Sequence, residues 1–338
     1  HAHSPLFTLF LSVYPTPRRL ESLFSDLFSV DSGSKIHFMK HSKTFYTIRT
    51  AAVAVIVLAG ALGYHFTEDS APSLTDGGLT VTYLDVGQGD ATVLQCGGET
   101  LLIDGGDNKV EHHLVESLQA LGVTELNTIV CTHPHADHCG GLDAAADAFP
   151  FDTVYSPVET YDSVTFRDFA DTVASHGGAI TIPKVGDTFT VGTATVTVLG
   201  PCWDTLPENV NNWSIVLRVD YGNTSFLFTG DAEYQEENDI LDHGADVKCD
   251  VFQAGHHGSS TSNSYRLLYE AQPQYAVISC GKGNSYGHPS EEALSRFRDA
   301  DVTTYCTMDE GNITFYSDGS TVSTQNTAFD ADAWSNAA

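Results

Sequence analysis

The chain has 338 residues, with Lys+Arg 15 against Asp+Glu 44 and a formal net charge of -29. That length supports a sizeable core in one large domain or two. The charge argues against a tight standing complex with nucleic acid, because phosphate-backbone binding relies on Lys and Arg to release counterions. It argues less against chemistry on one phosphodiester, which metal ions neutralise locally, and it equally suits solubility or a salty medium.

In chain order, residues 1–38 are expected not to be part of the native protein: the chain starts with His1, and its only methionines are Met39 and Met308. From Met39, the basic stretch Lys40 to Arg49 precedes an apolar run, Ala51 to Tyr64, with Ala59-Gly60-Ala61 as a small-x-small cleavage site. Residues 39–66 therefore read as a signal peptide or a single membrane anchor. The implied location is extracellular, or on the outer face of the cytoplasmic membrane. Residues 67–78 read as a linker. The N-terminal 66 residues carry Arg18, Arg19, Lys35, Lys40, Lys43 and Arg49 against Glu21, Asp26 and Asp31, so the remaining body is more acidic still.

Alternating patterns then predict strands over Leu79 to Val86, Ala91 to Cys96 and Glu99 to Asp104. A helix follows over Val110 to Leu121, with Val110, Leu114, Leu118 and Leu121 on one stripe. The apolar strand Thr128 to Cys131 leads into Thr132-His133-Pro134-His135-Ala136-Asp137-His138, and a helix is expected from Leu142 to Phe149. Further along, helices are predicted over 165–176, 232–241, 262–271 and 290–300. Strands are predicted over 153–155, 179–182, 188–191, 194–199, 214–221, 225–229, 250–254, 275–279, 303–307, 313–317 and 321–324. Two sheets with helices on both outer faces satisfy this order.

Three imidazoles and a carboxylate in one short loop are a ligand set suited to a transition metal. Side chains two apart on an extended stretch point the same way, so His133 and His135 are paired on one ion, and the following turn swings Asp137 and His138 toward a second. Histidine is scarce here, 15 of 338 residues, which makes the cluster informative. The seven cysteines sit mostly in strand patterns and read as small buried hydrophobes; with no C-x-x-C, a structural zinc ribbon is excluded. Gly283-Asn284-Ser285-Tyr286-Gly287 matches G-x-S-x-G formally, but the strand ends early and Pro289 intervenes, which argues against a serine nucleophile.

The chain resembles the metallo-β-lactamase fold hydrolases, and within them the hydrolase domain of ComEC-type competence proteins. The resemblance is carried by Tyr83 to Asp90, Leu102 to Gly106, the metal loop with Gly140-Gly141-Leu142, Asn211 to Ser214, Thr229-Gly230-Asp231, Gly255 to Ser259 and Tyr286 to Ser290. It implies an α/β fold, a four-layer αββα sandwich over residues 79–326, followed by a tail, 327–338. It also implies two divalent metal ions, zinc or manganese, held by His133, His135, Asp137, His138, Asp231 and His256, with Asp231 as the bridge. Asp137 would also orient the nucleophile. His257 is expected to contact substrate or leaving group, and His288 is an alternative last ligand or a catalytic contact. Where the family's first site has a mid-chain histidine, the matching block here is Asn211-Asn212-Trp213-Ser214; asparagine is a poor zinc ligand, and the departure also makes β-lactam hydrolysis a poorer match. The resulting expectation is an exported hydrolase that uses a metal-bound hydroxide on a phosphodiester-containing substrate, DNA included, without a stable nucleic-acid complex. The alternatives are an esterase of cell-envelope phosphorylcholine or teichoic acid, and a non-catalytic metal-binding module.

Overall fold

The computed structural model describes residues 77–203, 205–331 and 334. The expectations for residues 1–66, and for all but the last two residues of the linker, lie outside the described residues. Among the described residues no helix is long and apolar enough to cross a membrane.

Two sheets face each other. The first has the order β15-β14-β1-β2-β3-β4-β5-β6, and the second β13-β12-β11-β10-β9-β8-β7. In the first, β1 (Leu79–Tyr83), β2 (Thr92–Cys96), β3 (Glu99–Ile103), β4 (Leu126–Val130), β5 (Phe151–Tyr155) and the two-residue β6 (Ile180–Thr181) are joined on the other side of β1 by β14 (Ile313–Ser317) and β15 (Val322–Thr324). The second contains β7 (Thr188–Val191), β8 (Ala194–Gly200), β9 (Val216–Tyr221), β10 (Thr224–Phe228), β11 (Val251–Gln253), β12 (Tyr275–Ile278) and β13 (Thr303–Cys306).

Side-chain alternation explains the layering. Leu79, Val81, Tyr83, Leu94, Leu101 and Ile103 point inward and meet Val196, Leu217, Val219, Phe226 and Phe228 from the second sheet. Their neighbours Val93, Leu102 and Ile129 point outward, onto α1 (Glu111–Ala120), α3 (Leu142–Ala148) and α4 (Val164–Ser175). On the far side, Leu227, Phe252 and Ile278 meet helices α5 (Tyr234–Asp242), α6 (Tyr265–Ala271) and α7 (Glu291–Asp299). Strands buried on both faces carry apolar residues at odd and even positions alike, and this produces the four αββα layers.

Helix starts fall where a serine can cap. Ser163, Ser264 and Ser290 accept from the amides of Phe166, Leu267 and Ala293 at 3.1, 3.1 and 3.2 Å. Two short helices, α2 (Ala136–Cys139) and α8 (Thr307–Glu310), were not expected as helices; each is a single turn, too short to carry a periodic signal. Part of the expected C-terminal tail is packed: the Phe329 amide donates to Thr304 O at 2.7 Å, and the Trp334 indole to Pro289 O at 3.3 Å. The seven cysteines are free thiols, six of them buried.

Neighbours β3, β4 and β5 run parallel, as do β10, β11, β12 and β13. Their C-terminal ends open together on one edge of the sandwich, where loops of such sheets gather ligands. Gly89 fixes the floor of that edge: its φ is +148°, and a Cβ there would lie 2.4 Å from Asp137 O. The Asp90 amide donates to the same carbonyl at 3.1 Å, tying the β1–β2 loop under the histidine loop.

Candidate metal centre

Strand β4 ends at Val130, the chain bends at His133 and Pro134, and His135, in extended backbone, precedes α2. His133 Nε2 and His135 Nδ1 come within 3.0 Å of each other. The single turn of α2 then carries Asp137 toward His257, 3.3 Å from its Nε2, and His138 toward Asp231 Oδ1, 3.1 Å from its own Nε2. His133, His135 and Asp231 form one group of ligand-type atoms and Asp90, His138, Asp231 and His257 another, each within 4.8 Å.

Asp231 belongs to both groups. Its Oδ1 lies 3.1 Å from His138 Nε2 and 3.7 Å from His257 Nε2; its Oδ2 lies 3.7 Å from His133 Nε2 and 3.6 Å from His256 Nε2. The side chain is buried, which alone would raise its pKa, but His138, His257 and His256 hold the carboxyl well below the usual range. It does not cap a helix: α5 begins at Tyr234, with Glu233 preceding it.

The two consecutive histidines differ from expectation. Both adopt left-handed backbone, φ 52° at His256 and 55° at His257, and their rings splay to opposite sides of Asp231 at an interplanar angle of 69°. Left-handed non-glycine residues carry strain of about 1 kcal/mol or more each. Here the strain aims adjacent side chains at two different points. His257, expected to contact substrate, is the deeper of the two: it is buried, Nδ1 donates to Ser279 O at 3.0 Å, and Nε2 lies 3.3 Å from Asp137 Oδ2. Burial opposes its charge, yet Asp231 and Asp137 raise the imidazole to about 9. His256, expected as the last metal ligand, faces Asp231 Oδ2 on the His133 side, with Glu233 Oε1 3.4 Å from its Nδ1.

Three atoms converge with nothing to bond. His138 Nε2, His257 Nε2 and Asp231 Oδ1 are buried and lack a hydrogen-bond partner; the 3.1 Å approach of the first to the third is not aligned for a bond. Buried polar atoms left unpaired are costly. Two imidazole nitrogens and a carboxylate oxygen aimed at one volume are the donor set that a divalent transition metal takes.

Behind the ligand-type atoms stand partners that sequence reasoning did not assign. Asp104 Oδ2 accepts from His138 Nδ1 at 2.8 Å and from Thr132 Oγ1 at 2.7 Å, while Asp104 Oδ1 takes the Thr132 amide at 2.7 Å. Burial opposes protonation of His138, but Asp231 and Asp104 together raise it well above the usual value. Asp90 approaches His138 and His257 from their Nδ1 sides, at 3.9 and 3.8 Å, and accepts from Gln253 Nε2 at 2.6 Å. It therefore sits behind the imidazoles rather than among their free nitrogens, and burial pushes it up to about 6. The available signal was positional: Asp90 closes the block Tyr83 to Asp90, and Asp104 lies within the block Leu102 to Gly106. The Ser279 carbonyl has no side-chain signal at all.

The cluster forms one wall of an open cavity of about 340 Å³ that Asn211 and His288 also line. Asn211, in place of the missing histidine, donates to Glu233 Oε1 at 2.9 Å and lies 3.5 Å from His256 Nδ1. His288 stands at the rim, its ring 5.5 Å from that of His256. Burial, with His257 and His256 nearby, pushes His288 down to about 4, so it is neutral at neutral pH.

Known proteins resemble the chain. The chain is 28% identical to ComE operon protein 3 of Bacillus subtilis over 253 residues, 70% of this chain and 32% of that one. It is 30% identical to competence protein ComA of Neisseria gonorrhoeae over 250 residues, 72% of this chain and 32% of that one. It thus spans about a third of the length of the curated relatives it matches. Among solved structures, the metallo-beta-lactamase fold protein YhfI from Bacillus subtilis aligns over 71% of this chain and 100% of its own, at 14% identity and a TM-score of 0.48. Residues 84–282, more than half of the chain and every histidine of the cluster except His288, match the family described as the metallo-beta-lactamase superfamily, and this chain belongs to it.

Proposed function

We propose that the protein is a metal-dependent phosphodiesterase whose two ions share Asp231. The observation that carries this reading is the division of that carboxylate: one oxygen faces His138 and His257, the other His133 and His256. In this reading His138, His257, Asp137 and Asp231 hold one ion. His133, His135, His256 and Asp231 hold the other, with His256 taking from a different loop the place that Asn211 leaves open. When bound, such ions bring the pKa of water to about 7 and clamp the attacking and leaving oxygens of an in-line displacement.

The chain's own residues do the rest. Asp137 is held ionised: burial works against it, but His257, its Nε2 3.3 Å away, and the charge of His138 depress the carboxyl strongly. Partly exposed at the cavity wall, it can accept a hydrogen bond from, and so orient, an attacking water. Asp104 and the Ser279 carbonyl fix the tautomers of His138 and His257, so each presents Nε2. His288, neutral at the rim, is positioned to hydrogen-bond a substrate oxygen.

Relatives named for competence support a nucleic-acid diester as substrate, although the match covers only about a third of their length. The basic-then-apolar order of residues 40–64 supports action outside the cytoplasm. The test is metal analysis of purified protein, with hydrolysis of bis(p-nitrophenyl) phosphate compared with the monoester and a chromogenic β-lactam. The expected result is close to two transition-metal ions per chain and a clear preference for the diester. A protein that stays metal-free in zinc and manganese, or that prefers the β-lactam, would overturn the reading.

A further inference from the structure

The loop that follows β12 ends beside the metal-type cluster in an aromatic shelf. Tyr286 is 69% exposed, and its ring stacks on His288 at a centroid distance of 5.7 Å and an interplanar angle of 25°. A single exposed tyrosine is ordinary; this one is held. The Asn284 side chain accepts from the Tyr286 and His288 amides at 3.1 and 3.0 Å, and donates to Gly281 O and His288 O at 2.9 and 2.6 Å. With its two donors and its carbonyl oxygen all engaged, the amide clasps the loop in one shape. Across the loop's base, the Gly281 amide donates to Gln88 Oε1 at 3.2 Å, docking the shelf to the β1–β2 loop.

The shelf stands where two cavities meet. The cavity over the cluster, about 340 Å³, shares Gln88, Ala136, Asp137 and Tyr286 with a second of about 520 Å³ that runs away from it. The second is walled by Val86 and Val110 and holds Lys109, the one lysine or arginine lining either space.

We propose that Tyr286 is the stacking platform for a nucleobase whose own phosphate lies at the metal centre, which makes the substrate class a nucleotide diester; this rests on the phosphodiesterase reading above. An aromatic face also attracts quaternary ammonium groups, but those are held by cages of several rings. Here the second face of the ring is taken by His288, and the outer cavity offers aliphatic walls and a cation. A flat base stacks on one open face, and every base has such a face. Lys109, in the outer cavity with Asp107 3.6 Å from its ammonium, is the cation there that could turn to the next phosphate of a short strand.

The experiment is calorimetric binding of thymidine 5′-monophosphate, 2-deoxyribose 5-phosphate and phosphorylcholine to metal-loaded wild type, Tyr286→Phe and Tyr286→Leu. The base should improve binding about 10-fold or more over the sugar phosphate in wild type and Tyr286→Phe. That ratio should fall close to one in Tyr286→Leu, which keeps bulk but has no π-face. Equal binding of nucleotide and sugar phosphate by a wild-type protein that still cleaves diesters overturns the platform alone. Tighter binding of phosphorylcholine that depends on Tyr286 overturns the base in favour of an ammonium group. A wild type that cleaves no diester and shows no Tyr286-dependent preference overturns the platform and the reading beneath it together.

Discussion

Asp104 Oδ2 lies 2.8 Å from His138 Nδ1, and both side chains are buried. The carboxylate fixes which imidazole nitrogen carries hydrogen and leaves Nε2 free toward Asp231. It also pins Thr132, next to His133, through two bonds of 2.7 Å. Asp104→Asn would put an amide where a charge-assisted acceptor stood. Metal affinity is expected to fall about 10- to 100-fold, as it does when such supporting partners are removed. Equilibrium dialysis against zinc or manganese measures it, and unchanged affinity would show that His138 needs no such partner.

Asp137 separates binding from chemistry. Its loss removes one carboxylate from a crowded ligand set, and unlike the buried Asp231 it is partly exposed where the cavity meets His257. Asp137→Asn is expected to retain most of the metal and to lose turnover of a phosphodiester by about 10² or more, because orienting the nucleophile acts in the transition state. A variant that keeps wild-type kcat refutes the assigned role.

The paired histidines offer a sharper test of geometry. His257→Ala should lose the ion on the His138 side, while His256→Gly should weaken the other and relieve a left-handed backbone at the same time. The metal-free His256→Gly protein is therefore expected to be more stable than wild type by about 0.5–1 kcal/mol, read by urea unfolding. If both variants lose metal equally from one site, the two-sided arrangement around Asp231 is not how the chain binds metal.

Much of the fold was legible because burial on both sheet faces leaves an apolar record. Strands such as Thr224–Phe228 and the helix stripe through Leu114 and Leu118 read directly from sequence. The histidine loop itself was legible from its composition, and the structure brings His133 and His135 to within 3.0 Å of each other although the chain bends between them. The division between His256 and His257 was not legible, because it depends on two successive left-handed residues, which no propensity anticipates. Nor was the role of Asp104: it comes from β3, 34 residues before His138, and meets it only because β3 and β4 pair in parallel.

Glu236 should make stability depend on pH. It is fully buried on α5, and burial pushes its carboxyl up to about 7 against the hydrogen bonds from Cys202 and Trp203 that favour its charge. The folded protein thus holds this proton to about pH 7, whereas the unfolded chain releases it near 4.5. Stability from this residue is present below the lower value, lost as pH climbs through the window, and regained as pH falls, by up to about 3 kcal/mol. Metal-free wild type should therefore gain stability between pH 8 and 5 relative to Glu236→Gln. A constant gap between the two across that range would show that the carboxyl titrates normally.

Charge sets the scale of nucleic acid that the protein can engage. The chain carries -29, and Lys109 is the one lysine or arginine lining the cluster's cavity and its extension, so neither cavity offers a basic track along which a polymer could release counterions. In chelator, binding to a long duplex should be weaker than about 10⁻⁴ M at physiological salt, the weak end of ordinary non-specific binding. Its affinity should lack the steep inverse dependence on salt that many phosphate contacts produce. Manganese or zinc should restore binding by neutralising one or two phosphates at the cluster rather than by screening the whole surface. A short oligonucleotide then presents all that the site can hold, and it should be cleaved about as efficiently, per bond, as plasmid DNA. Tight binding in chelator that collapses with added salt would instead reveal a basic tract outside the two cavities. The footprint would then extend well beyond the one or two phosphodiester units expected here.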